Sequence, residues 1–138
     1  MQSITLGKIM TKNVISLSQG DSIQRAYELM LQEDIRHIPV IDHDRRLVGV
    51  MSDRDILVDA STGHDNKLRT AELLVSEIMN PDVITANESD SLQHGIQLML
   101  DRKIHSLPIV AQNNNLIGII TTTDILRLML HAKLSDQN

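Results

Sequence analysis

The amino-acid sequence contains an internal duplication. Residues Ile9 to Leu57 align with Ile78 to Leu126 at a constant offset of 69, which gives 17 identities without a gap. We call these stretches, together with the residues that flank them in the same motif, the first copy and the second copy. The identities fall at turns, helix caps and apolar positions, so one structural unit has been duplicated. Two copies are too few for a solenoid and predict two lobes packed about a pseudo-twofold axis, with any site between them occurring in two versions.

Composition narrows the class of protein. The chain has 138 residues, of which 41% are apolar, and this suits one ordinary domain with its own core. Tyr27 is the only aromatic residue and the formal net charge is -5, which argues against nucleic acid as a direct partner. The absence of cysteine removes disulfides, thiolate chemistry and Cys-based zinc sites.

The first residues, Met1 to Leu6, lack the charged start and the apolar stretch of a signal peptide. No segment approaches the roughly 18 apolar residues that a membrane span needs. We therefore expect a soluble, cytoplasmic chain without a membrane partner.

Each copy begins with the same two predicted elements. A short apolar run that is bounded by polar residues predicts a strand, at Val14-Ile15 and at Val83-Ile84. An N-cap pair then precedes apolar residues at helical spacing, at Asp21-Ser22 and at Asp90-Ser91.

Two β-rich runs joined by a polar linker of about five residues follow in each copy and predict a hairpin. The runs are Ile38 to Ile41 with Leu47 to Val50, and Leu107 to Val110 with Leu116 to Ile120. Pro39 and Pro108 are expected at strand starts because proline has no N–H for a ladder. A second helix is predicted from about Asp53 and about Thr122. The fold class is therefore α/β, built from two β-α-β-β-α motifs.

The predicted boundaries place the first motif at 6–62, a linker at 63–74, the second motif at 75–131 and a frayed tail at 132–138. The polar, glycine-containing stretch from Asp59 to Arg69 is the expected mobile loop.

The end of each copy carries the strongest constellation, Gly49-Val50-Met51-Ser52-Asp53-Arg54-Asp55 and Gly118-Ile119-Ile120-Thr121-Thr122-Thr123-Asp124. A hydroxyl three residues before a carboxylate is a helix capping box, and this structural interpretation is sufficient alone. The upstream strand favours a ligand site as well. Its glycine would allow another group to approach closely, and a carboxylate at a strand end can accept both hydroxyls of a ribose.

The chain resembles a tandem pair of cystathionine beta-synthase (CBS) domains, over about Leu6 to about Leu130. The resemblance rests on motifs that are duplicated in register. They are Met10-Thr11 and Met79-Asn80, Arg36-His37-Ile38-Pro39-Val40 and His105-Ser106-Leu107-Pro108-Ile109, and the two Gly-to-Asp ends given above.

This resemblance implies a Bateman module with two clefts that bind AMP, ADP, ATP or S-adenosylmethionine and report to a partner. For one cleft the family pattern points to Val14, Ile15 and Ser16 beside the base, Arg36 and His105 near the phosphates, and Thr121, Thr123 and Asp124 on phosphate and ribose. For the other it points to Val83, Ile84 and Thr85, again with His105 and Arg36, and to Ser52, Arg54 and Asp55.

The two clefts are expected to differ. Arg54 stands where the other copy has Thr123, so the Asp55 cleft is expected to favour more phosphates, and the Asp124 cleft a monophosphate or an uncharged tail. Ser52 replaces Thr121, and this leaves open the alternative that one cleft is degenerate and empty.

Catalysis needs an activated nucleophile, a metal or paired carboxylates, and the sequence displays none of these. The histidines lack metal-ligand spacing, and no glycine-rich phosphate loop is present. We expect a regulatory module that is not an enzyme and has no cofactor or metal besides its regulatory ligand. Two rivals stay open, a ligand-free structural interaction module and a hydrolase or transferase that uses His105 with Asp124 or Asp55.

A sensor without an effector domain must pass its output to another protein or to a second copy of itself. The regulated protein cannot be identified from the sequence. The predicted second helices carry more apolar surface than one small core needs, and this predicts an isologous homodimer. The runs concerned are Ile56-Leu57-Val58, Ile125-Leu126 and Leu128-Met129-Leu130.

Overall fold

The computed structural model describes residues 4–56 and 73–132 of the chain. Its helices are α1 (Leu6–Ile9), α2 (Ile23–Glu33), α3 (Val75–Ile78), α4 (Leu92–Arg102) and α5 (Thr122–His131), with a helical turn at 53–56 and a 3-10 turn at Gln112–Asn114. Its strands are β1 (Leu17–Ser18), β2 (His37–Ile41), β3 (Leu47–Ser52), β4 (Ser106–Val110) and β5 (Leu116–Thr121). The mixed α/β class predicted from the sequence is confirmed.

The first long helix of each copy begins where the sequence predicts. The Ser22 and Ser91 hydroxyls each accept a hydrogen bond of 3.0 Å, from the amides of Arg25 and His94. An N-cap serine satisfies one of the four amides that have no partner inside a helix. Both helices end at a residue in the left-handed region, which is Asp34 in α2 and Lys103 in α4.

The strands form a sheet in the order β1-β2-β3 and a second sheet of β4 and β5. β1 runs parallel to β2, with Leu17 opposite Val40, and β2 and β3 form the predicted antiparallel hairpin. The second copy repeats the parallel pairing as a single bridge between Ala86 and Ile109, which are the same two positions shifted by 69.

The prediction of strands at Val14-Ile15 and Val83-Ile84 is wrong, because pairing begins only at Leu17 and Ala86. Proline explains the late start. The Ala86 amide donates to the Pro108 carbonyl, and the Val110 amide donates to the Ala86 carbonyl. Extending this parallel ladder backwards would need an N–H from Pro108 to the carbonyl of Ile84, and proline has none.

The prolines themselves also lie further inside their strands than predicted. Pro39 and Pro108 are each the third residue of a five-residue strand, and both are buried. Pro39 stands opposite Val50, whose amide and carbonyl pair with Asn80 instead of with β2. The missing N–H of Pro39 therefore costs the β2–β3 hairpin no hydrogen bond.

Each copy contributes its opening helix to the core of the other. Leu6 of α1 is fully buried among second-copy residues such as Met99 and Leu107. Val75 of α3, which is the equivalent position, is fully buried in the first-copy core. The sequence did not reveal this exchange.

Backbone bridges repeat the exchange in a reciprocal way. Thr11 bridges Ile119, and the equivalent pair is Asn80 with Val50. Thr5 bridges Ser91, and the equivalent pair is Leu74 with Ser22. These bridges fix the opening segment of each copy against strands and helices of its twin.

The described residues accordingly divide into two compact units that do not coincide with the copies. The first-copy unit comprises 15–56, 73–83 and 112–116, and the second-copy unit comprises 4–14, 84–111 and 117–132. The mobile loop predicted at Asp59 to Arg69 lies outside the described residues, as does nearly all of the predicted tail. The motif boundaries at 6–62, 63–74 and 75–131 stay predictions. No helix within 4–56 or 73–132 is long and apolar enough to cross a membrane.

Candidate functional site

The two Gly-to-Asp segments each form a strand end followed by a capped helix start. The Thr121 hydroxyl accepts from the Asp124 amide at 3.1 Å, and Asp124 Oδ2 accepts from the Thr121 amide at 2.9 Å. Ser52 and Asp55 make the same two bonds at 3.1 and 2.9 Å. The capping-box interpretation is therefore correct in both copies. In each pair one carboxylate oxygen is used by the cap, and the other does not take part in it.

The close approach predicted at the strand glycines is present in both copies. The group that approaches each glycine is a methionine side chain. An added Cβ at Gly49 would lie 2.8 Å from Cγ of Met79, and one at Gly118 would lie 2.8 Å from Cγ of Met10. These glycines are needed for packing, because a methionine side chain lies where a Cβ would be.

Arg36 and His105 occupy equivalent positions next to the two caps. The Arg36 carbonyl accepts from the Asp53 amide at 3.0 Å, and the His105 carbonyl accepts from the Thr122 amide at 2.9 Å. Both side chains are exposed. The backbone of each of these residues is thereby anchored to the first residue of the capped helix of the same copy.

The His105 ring also contacts its own helix start. Thr122 Oγ1 lies 3.4 Å from His105 Nδ1 and 3.3 Å from the His105 carbonyl oxygen. This contact turns the Nδ1 edge of the imidazole toward the helix start. The first copy has Asp53 at the position of Thr122, and a carboxylate there changes the charge beside Arg36.

The segments predicted to flank an adenine base are half-buried and lie outside the strand ladders. Residues 14–16 and 83–85 carry no strand or bridge assignment and are of intermediate exposure. Their backbone amides and carbonyls are therefore not used by a sheet. The boundaries between the two units fall within these segments, after Val14 and after Val83.

The units group the predicted site residues as follows. Of the residues predicted for the Asp124 cleft, the second-copy unit contains Val14, His105, Thr121, Thr123 and Asp124, and the first-copy unit contains Ile15, Ser16 and Arg36. Of the residues predicted for the Asp55 cleft, the first-copy unit contains Val83, Arg36, Ser52, Arg54 and Asp55, and the second-copy unit contains Ile84, Thr85 and His105. Each carboxylate thus shares a unit with the first residue of its predicted base-binding segment.

One charged contact at the second-copy carboxylate was missed by sequence reasoning. Arg127 Nη1 lies 3.7 Å from Asp124 Oδ1, across one turn of α5. The signal was the i, i+3 spacing of opposite charges on a helix, which places two side chains on one face. Val58 stands at the equivalent position of the first copy, so Asp55 has no such arginine.

The acidic sequence Asp42-His43-Asp44 is a hairpin turn, as predicted. Asp42 Oδ1 accepts from the Asp44 amide at 2.8 Å and from the Arg46 amide at 2.9 Å. These backbone bonds, chiefly the one from Arg46, lower the pKa of the Asp42 carboxyl below its ordinary value. In the part of the chain that the structure describes, no group of three or more His, Asp or Glu side chains could hold a metal ion.

Duplicated α/β motifs with exchanged opening segments and the same cap in each copy define a tandem-repeat architecture. The CBS domain sequence profile matches residues 6–60 and 75–131, so the chain belongs to the CBS domain family. The resemblance seen in the sequence is confirmed.

Solved structures of related proteins have the same fold, and two of them contain adenosine-containing ligands. The CBS domain-containing protein YhcV of Bacillus subtilis is 36% identical over 116 residues, which are 84% of this chain and 79% of that protein. The crystal structure of CBSX2, a protein of Arabidopsis thaliana, in complex with AMP has a TM-score of 0.83 at 30% identity and covers 94% of this chain and 99% of that one. The CBS domain pair of protein MJ0100, in complex with 5'-methylthioadenosine and S-adenosyl-L-methionine, has a TM-score of 0.80 at 29% identity and covers 96% and 100%.

Some curated relatives are much longer. The chain spans 23% of a homoserine O-acetyltransferase of Methanohalobium evestigatum and 22% of an inosine-5'-monophosphate dehydrogenase of Methanocaldococcus jannaschii. The match to these enzymes therefore concerns about a quarter of their length.

Proposed function

We propose that this chain is a regulatory module that binds an adenosine-containing ligand and signals to a partner, without catalytic activity of its own. The observation that carries the proposal is a repeated pairing. In each unit the first residue of a half-buried backbone segment outside the sheets, Val14 or Val83, shares the unit with a carboxylate that keeps one oxygen outside its helix cap. AMP and S-adenosyl-L-methionine in the two related crystal structures support the adenosine class.

At the second-copy site, Asp124 accepts the ribose hydroxyls. Its Oδ2 holds the helix cap, so Oδ1 is the oxygen available to a sugar. Thr121, Thr123 and His105 supply hydroxyl and imidazole donors to a phosphate. Val14, in the same unit, contacts the base through its aliphatic side chain and its backbone groups.

At the first-copy site, Asp55 accepts the ribose hydroxyls. Arg54 and Arg36 place two guanidinium groups on the same unit, and these suit a ligand with more than one phosphate, such as ADP or ATP. Ser52 is the hydroxyl donor, and Val83, in the same unit, contacts the base.

The output surface that we propose is the exposed apolar face of α5. Leu126 and Leu130 are 64% and 78% exposed, and Met129 is also exposed. Burying this face against the same face of another molecule of this chain would form an isologous homodimer in the cytoplasm, to which a regulated protein can bind.

Sedimentation of Leu130→Glu against the natural chain tests this homodimer, since the variant is expected to be monomeric. A natural chain that is monomeric would contradict it. The first-copy half of the prediction, Leu57 and Val58, lies outside the described residues.

Ligand binding is tested by thermal unfolding in a panel of AMP, ADP, ATP, adenosine, S-adenosylmethionine and GMP. A ligand at about 100 times its Kd stabilises the folded state by about 2.7 kcal/mol. We expect at least one adenosine compound to raise Tm and GMP to leave it unchanged. Tm values unaffected by every adenosine compound would reject the proposal.

One observation favours a ligand-free structural interaction module as the second candidate. Both carboxylates are already used by capping boxes, so their presence is explained without a ligand. This candidate predicts no Tm shift in the panel and an unchanged dimer. The two functions are thus separated by one experiment.

A further inference from the structure

Both oxygens of the second-copy carboxylate have a polar neighbour. Asp124 Oδ2 accepts from the Thr121 amide at 2.9 Å, and Asp124 Oδ1 faces Arg127 Nη1 at 3.7 Å. The Asp124 side chain is 25% exposed and the Arg127 side chain 63%. The oxygen that the helix cap leaves available is therefore the one that the guanidinium contacts.

The first copy lacks this arrangement. Asp55 makes the same cap, but Val58 at the position of Arg127 cannot donate a hydrogen bond to it. The duplicated motif therefore has an arginine three residues after the carboxylate in the second copy and a valine at that position in the first. This asymmetry affects the Asp124 and Asp55 carboxylates, which we propose accept the ribose hydroxyls.

We propose that Arg127 is a specificity-determining residue that competes with ribose hydroxyls for Asp124 Oδ1. This inference rests on the proposed function of the Asp124 site. A sugar that takes Oδ1 displaces the guanidinium, which then needs a new acceptor. A 5'-phosphate provides that acceptor, since guanidinium groups bind phosphate oxygens through paired N–H donors. Adenosine provides none, and the sulfonium of S-adenosylmethionine adds a like charge.

The second-copy site is therefore selective for a nucleotide over the corresponding nucleoside. Exposed ion pairs contribute up to about 1 kcal/mol, which corresponds to about a fivefold change in affinity. Removing Arg127 is expected to tighten adenosine binding and to weaken AMP binding. The ratio of the adenosine Kd to the AMP Kd is then expected to fall by about fivefold or more.

The test measures both Kd values by calorimetry in a chain carrying Asp55→Asn, which isolates the second-copy site. Arg127→Ala is compared with Arg102→Ala, which removes the same charge from an exposed position at the end of α4 in the same unit. We expect the ratio to fall in Arg127→Ala and to stay constant in Arg102→Ala.

The failures are distinguishable. Binding of AMP and adenosine with a ratio unchanged or raised in Arg127→Ala would overturn the role of Arg127 and leave the proposed function standing. Failure of both compounds to bind the natural chain would overturn the role of Arg127, and the proposed function would fall with it only if every other adenosine compound of the panel also left Tm unchanged. Thermal unfolding of the unliganded variants checks that each is folded.

Discussion

The side chain of Met10 packs across Gly118, close enough that a Cβ added to the glycine would meet Cγ of Met10 at 2.8 Å. The same relationship joins Met79 to Gly49, so each copy holds the opening segment of its twin against a glycine on a strand. The methionine side chains thereby fill the space that the missing Cβ atoms leave.

Gly118→Ala is expected to destabilise the fold by about 1–3 kcal/mol, because the new methyl group overpacks against Met10. Urea unfolding measures the change. Gly20→Ala is the control, since nothing lies within 4 Å of a Cβ at that exposed turn. Met10→Ala in the Gly118→Ala background should recover part of the loss, and equal stabilities of Gly118→Ala and Gly20→Ala would refute the packing argument.

Leu6→Ala is expected to cost about 2–5 kcal/mol, because Leu6 is fully buried in the core of the second-copy unit. Leu31→Ala, at a position that is 66% exposed, should change stability by less than about 0.5 kcal/mol. Both values come from denaturant midpoints. A loss for Leu6→Ala as small as that for Leu31→Ala would mean that α1 does not contribute to the core.

Lys103→Gly is expected to stabilise the chain by about 0.5–1 kcal/mol. Lys103 ends α4 with φ of 55°, a left-handed conformation that is unfavourable for any residue with a Cβ. The neighbouring change Arg102→Gly should destabilise by about 1 kcal/mol, since Arg102 is still helical. Opposite signs at these adjacent residues are the expected result of thermal unfolding, and equal signs would contradict it.

Asp42→Asn is expected to lower stability at neutral pH and to have less effect in acid. The folded-state pKa of Asp42 is depressed by backbone donors, chiefly the amide of Arg46. The carboxylate therefore contributes stability above the unfolded pKa of about 3.9, and this contribution is lost as pH falls through the folded value. Denaturant titrations of both proteins at neutral and acidic pH measure the difference. A difference that grows toward acid would contradict the sign.

Local features of this fold could be predicted from the sequence. The caps at Ser22 and Ser91 and the box of Thr121 with Asp124 depend on residues within one helical turn, so their spacing alone predicts them. The offset of 69 likewise predicted that the two caps would be built alike.

Features that depend on contacts between residues far apart in the sequence could not be predicted from it. The pattern around Leu6 indicates an apolar residue but does not say which copy will bury it. Val14-Ile15 has strand composition, yet it stays outside the sheet because the strand it would join has a proline at the needed donor position. Arg127 was missed because its partner Asp124 had already been interpreted as a cap and a ribose ligand.

The most direct test of the account is calorimetric titration with AMP of the natural chain, Asp124→Asn and Asp55→Asn. Asparagine keeps an oxygen that can accept the cap bond, so the fold is preserved while the carboxylate is lost. We predict that AMP binds the natural chain and that at least one of the two variants weakens binding about tenfold or more, as expected for losing a charged hydrogen-bond acceptor. AMP affinity and stoichiometry identical in all three proteins would contradict ribose recognition by Asp124 and Asp55.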